Sequence, residues 1–166
     1  MNQISTAWSI AVMIVLALFM QACDPETPDN EEEEIDTVTL TFTNGPTVVW
    51  QLDDTVNPTI TLDANTTYTV AITFTNEEEG EDVTEEILAE DDEHIVCYEP
   101  MDGADVAVTR TDSDGTYEVG LATTWETGAA STGSIDVLLR HQPGVKDGTC
   151  TPGDSDVEVT FELEIQ

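Results

Sequence analysis

Beyond position 36 the chain alternates apolar and polar residues with a period of two, and it keeps that rhythm almost to its end. Val38, Leu40 and Phe42 alternate with threonines. Tyr68, Val70, Ile72 and Phe74 do the same, as do Tyr117, Val119 and Leu121, then Ile135, Val137 and Leu139. The last run is the cleanest, with Val157, Val159, Phe161, Leu163 and Ile165 set against Glu158, Thr160, Glu162 and Glu164. Successive side chains of a strand point to opposite faces, so this pattern predicts antiparallel strands with one buried and one wet face. Threonine on the polar phase suits a pleated, solvated surface. Further strands are expected over Thr47–Leu52, Thr59–Leu62, His94–Glu99 and Asp105–Thr111.

Turn residues punctuate these runs at Asn44-Gly45-Pro46, at Asp63-Ala64-Asn65 and from Gly144 to Gly148. Asp112-Ser113-Asp114-Gly115 reads as a tight hairpin turn and not as a calcium loop, because Arg110 stands where an acidic ligand is needed. One segment leaves the strand rhythm. Asp82 followed by Glu85 forms a capping box and predicts a short helix to about Glu90, crossing between two strands. Eight or nine short strands and one crossover helix predict an all-β fold, an immunoglobulin-like antiparallel β-sandwich over residues 36–166, with a small β-barrel as the alternative.

The first 23 residues are of another kind. They hold no charged side chain, and Ala7 to Met20 is an unbroken run of 14 residues that is apolar almost throughout. That is short for a spanning helix and right for the core of a secretory signal. Ala22-Cys23 follows, so the segment resembles the lipobox of a bacterial lipoprotein. The resemblance implies a signal peptide over residues 1–22 and a diacylated Cys23 at the mature N-terminus. An ordinary signal or an N-terminal anchor with an incidental cysteine is the other reading. Residues 23–35 then read as a disordered acidic tether, in which Asp24 to Glu34, DPETPDNEEEE, has nothing to bury. An acidic stretch directly after the lipidated cysteine also resembles the signal that sends Bacteroidota lipoproteins to the cell surface.

Charge narrows the range of partners. The chain has 36 Asp and Glu against three Lys and Arg, a formal charge of -33. Nucleic acid is excluded as a partner, since almost nothing is present to neutralise phosphates. A marine or halophilic habitat would select the same acidity without any specific site.

With Cys23 lipidated, Cys97 and Cys150 remain. In an oxidising compartment an even pair is most simply a disulfide, although free thiols or a thiolate–metal site with His94 and His141 stay open. His94 closes the run Glu90-Asp91-Asp92-Glu93-His94, and His141 ends a strand. Imidazole beside carboxylates suits Zn²⁺ or a similar ion, and carboxylates alone suit Ca²⁺. The candidate metal cluster is therefore His94 with Asp91, Asp92 and Glu93, completed by His141; a solvated acidic loop with two surface histidines is the plainer reading. No phosphate-binding glycine loop, nucleophile elbow or ordered Ser, His and Asp set is present, so a non-catalytic protein is expected.

Several stretches together resemble a group of Bacteroidota lipoproteins labelled "type 1 periplasmic binding fold superfamily protein". They include Leu62-Asp63-Ala64-Asn65-Thr66-Thr67-Tyr68, Asp82-Val83-Thr84-Glu85-Glu86-Ile87, Asp92-Glu93-His94 and Leu139-Arg140-His141-Gln142-Pro143. The fold in that label alternates β and α units in a longer chain, whereas the period-two pattern here predicts a sandwich. Members of the group tend to accompany outer-membrane TonB-dependent receptors. The resemblance thus implies an outer-membrane-anchored accessory protein in nutrient or metal uptake, on the periplasmic or cell-surface side. A structural or adhesive surface domain without a small-molecule ligand is the alternative.

Overall fold

The computed structural model describes residues 34–166, so the expected signal peptide, Cys23 and nearly all of the tether lie outside the described residues. Nine strands and one helix follow in order. They are β1 (Thr37–Phe42), β2 (Thr47–Gln51), β3 (Thr59–Leu62), β4 (Thr67–Thr75), α1 (Val83–Ala89), β5 (His94–Met101), β6 (Val106–Arg110), β7 (Ala122–Thr127), β8 (Ser131–His141) and β9 (Asp154–Ile165). One sheet has the order β2-β1-β4-β7-β6 and the other β3-β9-β8-β5. This is the expected all-β sandwich, and among the described residues no sheet closes into a barrel. All pairings are antiparallel except β3 with β9, where Leu62 stands opposite Ile165 in a parallel register.

The apolar phase of each strand fills the space between the sheets. Val38, Leu40, Val70, Ile72, Phe74 and Trp125 of the first sheet are buried with Ile135, Val137, Leu139, Val159 and Phe161 of the second. Trp125 is wholly enclosed, with Phe42 edge-on at 5.1 Å and its indole nitrogen donating to Thr123 Oγ1. Large buried aromatics of this kind supply much of a sandwich's stabilisation.

Helix α1 starts at the expected N-cap, Asp82, whose carboxylate accepts from Thr84 N at 3.1 Å, while Glu85 N donates to the Asp82 carbonyl and not to the carboxylate as a capping box would have it. The Thr84 hydroxyl then exchanges hydrogen bonds with Phe74 N and Phe74 O, pinning the helix to the end of β4. Ile87 enters the core from its inner face. The helix therefore carries the chain from the first sheet to the second and delivers Glu90 to the start of β5.

One strand differs from the expected pattern. Residues 117–121 form no strand, and Ala122–Thr127 does instead. The Asp112 carboxylate accepts from the backbone of Gly120, Leu121 and Ala122, and Gly120 turns at φ 99°. Val119 and Leu121 are buried all the same, so their alternation reflects burial inside a loop and not a ladder. The turn at Asp114-Gly115 exists within this long β6–β7 connection, closed by Asp114 N donating to Tyr117 O.

Candidate metal centre

Residues 96 and 139 are a core pair of β5 and β8, and the same register sets His94 opposite His141. Strand alternation gives both histidines the inward direction of Val96 and Leu139. The rings stack at 4.6 Å between centroids with planes 5° apart, and both residues are buried, His94 at 0% exposure and His141 at 6%. Two imidazoles thus lie together at one end of the core.

The helix fixes one of them. His94 Nδ1 lies 3.1 Å from the Glu90 carbonyl oxygen. A carbonyl can only accept, so Nδ1 carries the proton and the lone pair of the neutral ring sits on Nε2. Burial pushes His94 below the usual imidazole value; the Glu90 carbonyl opposes that shift, and the neighbouring His141 adds to it. His94 Nε2 and both ring nitrogens of His141 are buried without a hydrogen-bond partner. Unsatisfied buried nitrogens are costly, and an imidazole held at Nδ1 by a carbonyl is the arrangement that orients a metal-ligating histidine.

Carboxylates surround the pair. One oxygen of Glu90, a ring nitrogen of His94 and a ring nitrogen of His141 all lie within 4.8 Å of one another, and Glu90 is exposed and able to swing. Glu93 Oε2 lies 3.4 Å from His141 Nε2. Asp156 Oδ2 lies 3.8 Å from His94 Nε2, with both side chains wholly buried.

The sequence brings Asp156 there by an irregularity. Leu139 pairs with Val157 and Arg140 with Ser155, so the register passes over Asp156. In strict alternation with Val157 and Val159 this residue would face water. The β-bulge turns its carboxylate in beside His94, as bulges re-aim side chains.

Of the sequence-predicted cluster, His94, Glu93 and His141 come together. Asp91 and Asp92 do not join it: the Asp91 carbonyl accepts from Lys146 Nζ and Asp92 is exposed. β5 begins at His94, and Glu93 is the last residue of the turn after α1 that also holds Asp91 and Asp92. Glu90 and Asp156 were missing from the expected set. Glu90 stands four residues before His94, a spacing that a helix end followed by a turn can close; Asp156 has no comparable signal.

Cys97 and Cys150 form a disulfide with Cα atoms 6.1 Å apart. Cys97 points away from the histidines, as the three-residue offset from His94 requires on a regular strand, so the disulfide stands apart from the candidate centre. It ties β5 to the segment 142–153 that joins β8 to β9. That segment also receives Arg110 Nη2 on Cys150 Sγ and the Arg140 guanidinium on the carbonyls of Thr151, Pro152 and Gly153. The chain's third cation, Lys146, belongs to the segment itself. Arg140 and His141 leave β8 on opposite sides, so the guanidinium braces the loop while the imidazole faces the centre.

Beside Asp156 a cleft of about 580 Å³ opens to solvent, lined by Glu34, Asp36, Asp53, Glu77 and Glu78 among others. Backbone amides of Glu77 and Glu78, with the Thr37 hydroxyl, hold the Asp36 carboxyl below its usual value against its partial desolvation.

Compared with family models, with curated proteins and with solved structures, the chain has no significant match.

Proposed function

We propose that the protein is a non-catalytic binding protein of the outer membrane, lipid-anchored through Cys23, that holds a divalent transition ion as an accessory to TonB-dependent uptake. The observation that carries the reading is the His94–His141 pair, buried and lacking hydrogen bonds at three of its four ring nitrogens. Imidazole nitrogens with flanking carboxylates favour Zn²⁺ and its neighbours over Ca²⁺, which prefers an all-oxygen shell. The lipobox resemblance and the acidic tether support the address, and the resemblance to receptor-associated lipoproteins supports the accessory role.

The test is titration calorimetry of the full chain with Zn²⁺ and with Ca²⁺ in physiological salt. One saturable Zn²⁺ site, lost in both His94→Ala and His141→Ala, is expected. Weak heats, identical in all three proteins and erased by added salt, would leave only an acidic surface and favour the structural or adhesive reading.

A further inference from the structure

The ring geometry sets a condition on any ion bound by the pair. A lone pair lies in the plane of its ring, and the His94 and His141 planes are parallel to within 5°. One ion cannot lie in two parallel planes, so one ring must turn. His94 is held at Nδ1 by the Glu90 carbonyl, whereas His141 has no hydrogen bond and only the 3.4 Å contact of its Nε2 with the partly exposed Glu93 carboxylate. His141 is therefore the ring that moves, and His94 Nε2 defines where the ion sits.

What faces His94 Nε2 is the Asp156 carboxylate. Their separation of 3.8 Å is too long for a hydrogen bond. Donors bonded at ~2.0–2.2 Å to a tetrahedral ion stand roughly 3.4 Å apart. The gap between nitrogen and oxygen is thus near the span that a shared ion would bridge. Asp156 also lines the acidic cleft, so the same residue borders both the buried pair and solvent.

We propose that Asp156 is a direct ligand of this ion, completing a site of two imidazoles and two carboxylates with His94, His141 and Glu90, and that cations reach it through the acidic cleft. The inference rests on the metal-binding reading above and adds to it a ligand that the bulge in β9 supplies. Its carboxylate would offset part of the ion's charge inside the core, which neutral imidazoles cannot do. The cleft would concentrate cations at the entrance by its negative potential.

The experiment is Zn²⁺ titration of the full chain as wild type, Asp156→Asn and His94→Ala, with the melting temperature of each variant recorded. Asp156→Asn keeps the shape and removes the charge. It should weaken Zn²⁺ binding by at least about tenfold, while His94→Ala abolishes it. Wild-type protein labelled with ¹³C at the aspartate carboxyl carbons provides a second readout that needs no variant to fold. One aspartate resonance should shift on stoichiometric Zn²⁺. Unchanged affinity in a folded Asp156→Asn, or no shifted aspartate at saturation, would overturn the role of Asp156 while leaving the histidine site standing. Absence of saturable binding in wild type, or full binding by His94→Ala, would overturn the reading beneath it.

Discussion

Lys146 Nζ lies 2.7 Å from Asp114 Oδ2, and both side chains are only 4% exposed. The contact joins the 142–153 segment to the β6–β7 loop, and the same ammonium reaches the Asp91 carbonyl at the end of the helix turn. Of the chain's three Lys and Arg residues, Arg110 and Arg140 donate to that segment and Lys146 belongs to it. The segment connects His141 to Asp156, so the scarce positive charge braces the backbone on either side of the candidate centre.

The pair makes stability depend on pH in the acid range. The Lys146 ammonium and the backbone N–H of Tyr117 pull the Asp114 carboxyl down to about 2. A carboxylate depressed in the folded state contributes its full stabilisation above the ordinary carboxylate value. That contribution is lost as the pH falls from about 4 towards about 2. Asp114→Asn keeps an acceptor for the Thr116 and Tyr117 amides and removes the charge. It should lower stability at neutral pH by about 2 kcal/mol, the scale of a hydrogen bond to a charged group. Urea midpoints of the two proteins should converge as the pH drops through that window. A constant difference down to pH 2 would show that the charge is not what matters.

The disulfide spans 53 positions of sequence, and Cys97 is wholly buried. In the chain-entropy account, a loop of that length is worth about 4 kcal/mol, less whatever strain the fold bears. Cys97→Ala with Cys150→Ala should therefore fold but melt well below the oxidised wild type. Wild type in excess reductant should approach the double variant. Equal melting temperatures for oxidised and reduced wild type would contradict this account.

Lipidation at Cys23 has a direct readout in cells. Radiolabelled palmitate should enter the wild type in cells and not Cys23→Ser. Equal membrane retention of both proteins without label would identify the leader as a plain anchor.

Most of the sandwich was legible because a half-buried strand writes its period into the sequence. The runs at Val38, Tyr68, Ile135 and Val157 each lie in a strand of the sandwich. The failure at Tyr117–Leu121 is instructive, since its alternation comes from a loop folded under the Asp112 carboxylate. The true strand, Ala122–Thr127, has Thr123 and Trp125 facing inward, and the buried threonine hides the alternation. Half of the centre was legible for a similar reason. His94 and His141 stand out as the chain's two histidines, yet their pairing depends on the β5–β8 register. Asp156 was illegible because its inward direction arises from one skipped residue in β9.

Gly153 marks the point where the braced segment returns to the sheet. Its φ is 78°, and a Cβ there would run into the His141 carbonyl oxygen and approach Gln142 Cα to 3.0 Å. Gly144, in the same connection, has φ 67° but open space where its Cβ would be. The two glycines therefore separate backbone handedness from crowding. Gly144→Ala should lose only the left-handed penalty, about 1 kcal/mol. Gly153→Ala must also push the chain away from β8, so a loss of roughly 2–4 kcal/mol is expected. The displacement would act on the backbone of His141 itself, so Zn²⁺ affinity should fall in Gly153→Ala and hold in Gly144→Ala. Urea midpoints and Zn²⁺ titrations of both variants provide the comparison. Equal losses of stability would mean that the segment yields freely at Gly153. In that case its hydrogen bonds to Arg140 would contribute little to holding the His141 end of β8 in place.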